Sequence, residues 1–332
     1  MIQAIIKQPG GFDNIEYIEQ EIPKPGKGQV LVRWKATSLN FHDYLVANGS
    51  IPVADGRIPM SDGSGLIADI GEGVTQWQEG DEVMSLFFPD WQAGNPTPSN
   101  TSAISGETVD GFAQDYSIVN AEALTRIPKN YTFAEAATLP CAAVTAWRGL
   151  VEEGNIKAGD TVLIQGTGGV SIFGLQLALA AGAQVIATTS SDEKAQRLKE
   201  LGADEVINYK EDEKWGKTIA KLTGGVDHIL DIGGPATLPQ AVEAVAYAGQ
   251  ISMIGILGGR DSSIVLPKLM FKHAKINAIA VGSRAMQENM VEAIDVAGFK
   301  PIFDSGFELT ALADAFRHQE SGQHFGKIVV EY

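Results

Sequence analysis

Apolar and polar positions follow two regimes along this chain. Through about residue 121, short apolar runs alternate with turn residues. Strands are predicted over 3–7, 29–36, 65–70 and 82–87, separated by Pro-Gly, Gly-Glu-Gly and Glu-Gly-Asp turns. This is the pattern of an irregular, mostly antiparallel β region. The stretch 89–111, rich in Pro, Asn, Thr, Ser and Gly, reads as one long loop, and long loops in compact domains are often functional. From about residue 133 the period changes. Strand candidates at 161–165, 184–188, 205–208, 228–231, 250–254 and 275–281 alternate with helix candidates at 170–181, 193–201, 215–223 and 238–246. Repeated β-α units of this length imply a parallel sheet with helices on both faces. From 285 onward come a helix, a strand near 307–309, another helix and a closing strand at 327–330.

Composition refines this picture only in places. A chain of 332 residues is long for one core, so two domains are expected. The hydrophobic content of 44% and charged content of 20% are those of an ordinary soluble globular protein. A formal net charge of −16 argues against a nucleic-acid or anionic-membrane surface, although a local pocket can still be basic. Cys141, the single cysteine, excludes an intrachain disulfide and fits a reducing, cytoplasmic compartment. The opening residues lack the apolar stretch and cleavage site of a signal peptide. The stretch 161–191 carries no charge, but Gly166, Gly168, Gly169, Gly174 and Gly182 break it and its period switches midway. It reads as buried strand, turn, helix and strand rather than a membrane span.

The strongest local signal lies in that stretch: Thr161-Val-Leu-Ile-Gln-Gly166-Thr167-Gly168-Gly169-Val170-Ser171. A strand runs into a tight glycine turn and on into an apolar helix, as dinucleotide-binding motifs do. Gly166 lets the chain turn sharply, and Gly168 and Gly169 leave room for a pyrophosphate to reach backbone N–H groups. The helix N-terminus adds partial positive charge. Ser171 replaces the motif's third glycine and is small enough for close helix–sheet packing. At the end of the next strand, an NAD site places an acidic residue on the ribose 2′-OH. Here the chain reads Thr188-Thr189-Ser190-Ser191-Asp192-Glu193-Lys194. Ser190 can donate to a 2′-phosphate and Lys194 can neutralise it, which favours NADP(H). Ser190, Ser191 and Asp192 also suit the cap of the helix near 193, and the two readings are compatible.

Further motifs recur in a particular order: Ser38-Leu-Asn-Phe-His-Asp43, the run 61–74, Glu79-Gly-Asp-Glu-Val83 and Gly111-Phe-Ala-Gln-Asp-Tyr116. They continue with Leu139-Pro-Cys-Ala-Ala-Val-Thr-Ala-Trp147, the glycine turn, the run 201–209 and Phe325-Gly-Lys-Ile-Val329. Together they resemble the medium-chain dehydrogenase/reductase superfamily, in particular its quinone-oxidoreductase-like and zinc-free alcohol-dehydrogenase-like branches. The resemblance covers nearly the entire chain. It implies an α/β protein in which a Rossmann-type, doubly wound parallel-sheet domain (123–284) joins a GroES-like, mostly-β catalytic domain (1–122). The C-terminal segment (285–332) returns to complete the latter. It also implies an active-site cleft between the domains and a homodimer joined through an edge strand at 276–281.

Where the family's zinc enzymes carry their first Cys and their His, this sequence has Asn40 and Ser61, and only Cys141 matches a ligand position. One thiolate does not hold the metal. The loop 89–111 has none of the four cysteines of a structural zinc lobe. No zinc is therefore expected, and Cys141 reads as a small buried residue near the cleft.

Charge developing on a substrate oxygen wants a hydrogen-bond donor. The candidates are Asn40, His42, Asp43 and Tyr44. His42 falls where alcohol dehydrogenases place a proton-relay hydroxyl, and a pKa near neutrality suits proton delivery; the alternative is a histidine bonded to its own loop. Asp43 serves equally as a loop brace, and Tyr44 as a phenolic donor or a core aromatic. Toward the cofactor, the resemblance implies Thr145 at the nicotinamide end and Tyr209 at the adenosine-phosphate pocket. Gly255, Ile256 and Leu257 follow a sheet strand at the edge where cofactors lie. Lys327 either approaches the cofactor or simply begins a strand. Phe88, Trp91 and Phe112 suit an apolar substrate wall, or packing.

The expected function is NADP(H)-dependent hydride transfer to or from a small carbonyl, enone, quinone or alcohol, without zinc. The alternatives are a non-catalytic or redox-sensing NADP(H) binder of the same fold, and a metal-assisted alcohol dehydrogenase.

Overall fold

The computed structural model describes residues 1–259, 261 and 263–332 and divides the chain into two units: Met1–Val144 with Val281–Tyr332, and Thr145–Ala280. In the first, β1 (Ile2–Ile6) and β2 (Ile15–Glu19) form an antiparallel pair. The long strand β3 (Gln29–Ser38) follows and feeds directly into α1 (Phe41–Ala47). Next come β4 (Ser64–Ile70), β5 (Glu82–Ser85), the short α2 (Pro98–Thr101), β6 (Tyr116–Asn120), β7 (Leu124–Arg126) and α3 (Phe133–Ala137). Alternate residues Val30, Val32 and Trp34 of β3 enter a core with Ile67, Trp77, Val83 and Leu124, the period-2 burial expected of a sheet with one packed face. A helical run then leads through wide turns at Leu139–Ala143 and Arg148–Glu152 that flank α4 (Val144–Trp147).

The second unit alternates strand and helix: β8 (Thr161–Gln165), α5 (Gly169–Ala180), β9 (Gln184–Thr189), α6 (Asp192–Glu200), β10 (Glu205–Asn208) and α7 (Trp215–Thr223). It continues with β11 (Val226–Asp231), α8 (Leu238–Ala244), β12 (Val245–Met253), α9 (Leu266–Lys272) and β13 (Lys275–Ala278). The six strands are all parallel in the order β10-β9-β8-β11-β12-β13. The order reverses between β8 and β11, and ligands of such sheets bind at the carboxyl ends beside that reversal.

The chain then returns to the first unit through α10 (Arg284–Ala297), β14 (Phe303–Glu308), α11 (Leu312–Glu320) and β15 (Lys327–Glu331). β15 pairs antiparallel with β3, Val329 opposite Ser38, in a sheet ordered β14-β15-β3-β4-β5-β7 with β6 on β3. That register brings the C-terminal strand to the start of α1.

This is the GroES-like domain plus Rossmann-type domain that the sequence implied, but with different bounds. Residues 123–144 lie in the first unit: β7 pairs with β5, and Ala137 packs with Ala36 and Val329. The helix expected over 238–246 yields its end to β12, which opens with Val245 beside Val226 of β11. β13 stops at Ala278, and Val281 takes a left-handed φ of 46°.

Candidate active site

The glycine turn joins β8 to α5. Gly166 has φ 74°, a conformation that favours glycine, and its N–H donates to Thr188 O at 2.7 Å. Gly168 caps α5 in extended backbone (φ −77°, ψ 176°), which any residue adopts. A Cβ on Gly166 or Gly168 would meet nothing within 4 Å. The space before the helix N-terminus is thus open, with the N–H groups of Gly169 and Val170 in its first turn. Thr167 is buried, and Ser171 is held inside by its Oγ–H donating to Gln165 O at 2.6 Å. Ser171 thus packs close to the sheet as its small size allows, and Gly174 makes a second close approach, where a Cβ would lie 2.4 Å from Leu230 Cδ1 of β11.

At the carboxyl end of β9, Ser191 caps α6 by accepting the Lys194 N–H at 3.3 Å, so the cap uses this hydroxyl and not that of Ser190. Tyr209, half-exposed, follows β10 and anchors its N–H on Thr189 O at 3.0 Å. Ser190, Lys194 and Tyr209 therefore share one end of neighbouring strands. Two loops lie side by side after β11 and β12: the Gly255 N–H donates to Asp231 O, and a Cβ on Gly255 would lie 2.1 Å from Ile232 O. Ile256 and Leu257, beyond that glycine, are exposed. No sequence motif marks the residues that brace this edge. Buried Asp231 accepts from Gly234 N and Thr237 Oγ1, both at 2.7 Å, while Gln165 Oε1 accepts from Ile232 N and Gly233 N. Thr145 is buried on α4 at the start of this unit.

The catalytic candidates lie in the first unit, where α1 begins. Asn40 is the N-cap and Asp43 the N3 residue of a capping box, which puts both at one end of the helix. Asp43, buried, accepts from Asn40 N at 2.9 Å, Ser61 N at 2.8 Å and Ser61 Oγ at 3.2 Å. Asn40 Nδ2 donates to Asp62 Oδ2 at 2.8 Å and more weakly to Ser61 Oγ at 3.3 Å, and Ser38 Oγ donates to the same Asp62 oxygen. Asp62 Oδ1 is buried and has no hydrogen-bond partner among the described residues. Burial, with Asp43 adding to it against the pull of Lys327, pushes the Asp62 carboxyl up to about 6.

Lys327, read as either a cofactor neighbour or a strand-start lysine, does begin β15 and spends its ammonium here: Nζ donates to Leu39 O and Asn40 Oδ1, each at 2.6 Å, and lies 3.7 Å from Asp62 Oδ2. The Cys141 thiol belongs to the same neighbourhood. Burial drives its pKa well up, with Asp62 and Asp43 adding and Lys327 opposing.

His42 reaches Glu107 in the long loop, Nε2 to Oε2 at 2.6 Å, with Nδ1 at 3.8 Å from Asp43 Oδ1, and its ring packs edge-on against Phe87. Hydrogen bonds therefore join Glu107 to His42 and, separately, Asp43 to Asn40 and Asn40 to Lys327, with His42 Nδ1 near the Asp43 charge but not bonded to it. Tyr44 stands apart. One position after Asp43, it points to another face of α1, between Phe12 and Phe41, with its hydroxyl donating to Glu320. Phe88, Trp91 and Phe112 are buried in packing, Phe112 against Trp34 and Trp91 against Phe88. Glu107, Asp62 and Lys327 were invisible as a set, because they come from three distant segments. Only the adjacency of Asp62 to Ser61 offered a signal.

Comparison with known proteins bears on both units. A family model described as an alcohol dehydrogenase GroES-like domain matches residues 26–129, and one described as a zinc-binding dehydrogenase matches residues 169–297. A zinc-type alcohol dehydrogenase-like protein of Schizosaccharomyces pombe is 42% identical, covering 97% of this chain and 96% of that protein. An acryloyl-coenzyme A reductase of Sulfurisphaera tokodaii is 27% identical over 97% of this chain and 98% of its own. A crystal structure from Sinorhizobium meliloti 1021, described as a putative alcohol dehydrogenase, superposes with a TM-score of 0.93 at 39% identity, covering 100% of this chain and 98% of that one.

Proposed function

We propose, from the premise that this chain belongs to the medium-chain dehydrogenase/reductase superfamily of oxidoreductases, that it transfers hydride between NADP(H) and a small carbonyl, enone or quinone without zinc. The observation that carries the cofactor assignment is the open glycine turn at the head of α5, with Ser190 and Lys194 rather than an acid at the end of β9. The pyrophosphate would lie on the turn 166–171 and the 2′-phosphate beside Ser190, Lys194 and Tyr209, with Thr145, Gly255, Ile256 and Leu257 toward the nicotinamide. Bound NADPH supplies the hydride, two electrons to the substrate carbon, while the substrate oxygen takes a proton. Asn40 would donate a hydrogen bond to that oxygen as negative charge builds there, and His42 would deliver the proton.

The residues do not fit a zinc ion. Its donors would be the Asn40 amide, the Ser61 hydroxyl and the Cys141 thiol, a set with one thiol and no imidazole, short of the three strong ligands a catalytic zinc takes. The Lys327 ammonium already sits on the same Asn40 oxygen, and a second cation there would be repelled.

Binding constants for NADPH and NADH test the cofactor reading. NADPH is expected to bind the more tightly. Lys194→Ala should weaken NADPH by on the order of tenfold, the worth of one charge-assisted contact, and leave NADH unchanged. Equal affinity for the two would remove the NADP(H) assignment and favour the alcohol-dehydrogenase reading.

We also propose a homodimer. β13 is the last strand on its side of the sheet, and the neighbouring α9 exposes Leu266, Met270 and Phe271, the last two at 73% and 77%. Pairing two such edges would cover backbone groups and apolar surface together. Light scattering at micromolar concentration should give twice the 35.3 kDa chain mass. A monomer under those conditions sinks the proposal.

A further inference from the structure

We infer that Lys327 supplies, from inside the protein, the fixed positive charge that makes Asn40 an effective donor to the reacting oxygen, and so sets the rate of hydride transfer without touching substrate. The inference rests on the proposed function and concerns how its reaction site works.

A buried ammonium is expensive, and one kept only for stability is expected to meet its carboxylate directly. In Lys327 that order is reversed. It is 3% exposed and its hydrogen bonds go to two neutral oxygens, while its buried ion pair with Asp62 Oδ2 is the longer contact at 3.7 Å. Meanwhile Asp62 Oδ1 has no hydrogen-bond partner among the described residues. The geometry therefore favours the Asn40 amide over the nearby charge. β15 fixes this arrangement. Lys327 N–H donates to Ile302 O at 3.0 Å, and Gly326 before it has φ 84° and would place a Cβ 2.2 Å from the same oxygen.

The chemistry follows from what each group can do. An ammonium only donates, so it must face Oδ1, and this fixes which way the Asn40 amide points. A positive charge on Oδ1 draws electron density through the amide and makes its N–H groups stronger donors. One N–H is committed to Asp62 at 2.8 Å. The other makes only a 3.3 Å bond to Ser61 Oγ, which is itself held by Asp43. That weakly held hydrogen is the one a developing oxyanion can claim at small cost. Lys327 is thus a positioning and polarising residue, and Asn40 the group that meets substrate.

The test uses the full-length protein and three variants. Lys327→Met should lower kcat by about a hundredfold, the scale of losing one oxyanion donor, with KM and the NADPH dissociation constant unchanged within about twofold. The double variant Lys327→Met with Asp62→Asn, which leaves no buried carboxylate without its counter-charge, should melt with the parent but stay slow. Lys327→Ala should be accelerated saturably by added propylammonium and not by propanol.

A double variant that regains the parent kcat overturns the inference, because Lys327 would then merely neutralise Asp62. A tenfold weaker NADPH complex in folded Lys327→Met overturns it in favour of a cofactor contact. A parent that turns over no carbonyl, enone or quinone with NADPH defeats the proposed function and this inference together. A parent that turns over, with Lys327→Met matching its kcat, defeats this inference alone.

Discussion

Gly168→Val is expected to abolish dinucleotide binding and leave the fold almost as stable as before. Gly168 has ordinary extended dihedrals, and a Cβ there meets no protein atom within 4 Å, so neither backbone strain nor internal packing calls for glycine. The cost to folding is that of a poorer N-cap, under about 1 kcal/mol. The valine methyl groups would instead occupy the space before the N–H groups of α5, where a pyrophosphate must come within hydrogen-bond distance. Several charge-assisted bonds would fail together, a loss of at least about a hundredfold in NADPH affinity.

Gly174→Ala provides the contrast. Its Cβ would press on Leu230 Cδ1 at 2.4 Å, so it should lower stability by about 1–3 kcal/mol through overpacking. It should do so without directly touching the cofactor. Calorimetry beside fluorescence titration separates the two glycines. If Gly168→Val binds NADPH like the parent, the pyrophosphate does not lie on this turn.

That contrast also shows where the sequence was readable. The strand–turn–helix signal around Gly166 is local, since every residue that makes the turn lies within a few positions of the others. The alternation of strand and helix from 161 onward is equally local, and the observed sheet follows it closely. What escaped depends on distant partners. β14 starts at Phe303, not at 307, because it extends along β15. β7 falls in the first unit because β5 pairs with it.

The polar cluster is the extreme case. Asn40, His42 and Asp43 were legible as neighbours, but Glu107 comes from a long loop and Lys327 from the last strand, so their meeting depends on the sheet register. Tyr44, one position after Asp43, illustrates the opposite limit: adjacency on a helix does not give a shared face.

The reduction rate should fall as pH rises through the His42 pKa, and Glu107→Gln should move that fall to lower pH. Burial alone would pull the imidazolium's pKa down, but the carboxylates of Asp43 and Glu107 flank it and together hold it above histidine's ordinary 6.5. Reduction consumes a proton, so the protonated ring is the active form and activity is retained on the acid side. Stability has the same sign. A histidine whose folded-state pKa is raised contributes fully below 6.5, and its contribution is withdrawn as pH climbs through the folded value.

Removing the Glu107 charge weakens one of the two carboxylate contributions, so both the kinetic limb and the stability loss should shift acidward. His42→Ala should abolish the limb and lower the rate by about a hundredfold. Asp62, with a carboxyl near 6, also titrates in this range, but it makes no contact with Glu107, so a limb belonging to Asp62 would not move in Glu107→Gln. A profile identical in parent and Glu107→Gln would therefore assign the proton to a group other than His42. A His42→Ala variant retaining the parent's rate and profile would leave the His42–Glu107 pair a purely structural tie between α1 and the long loop.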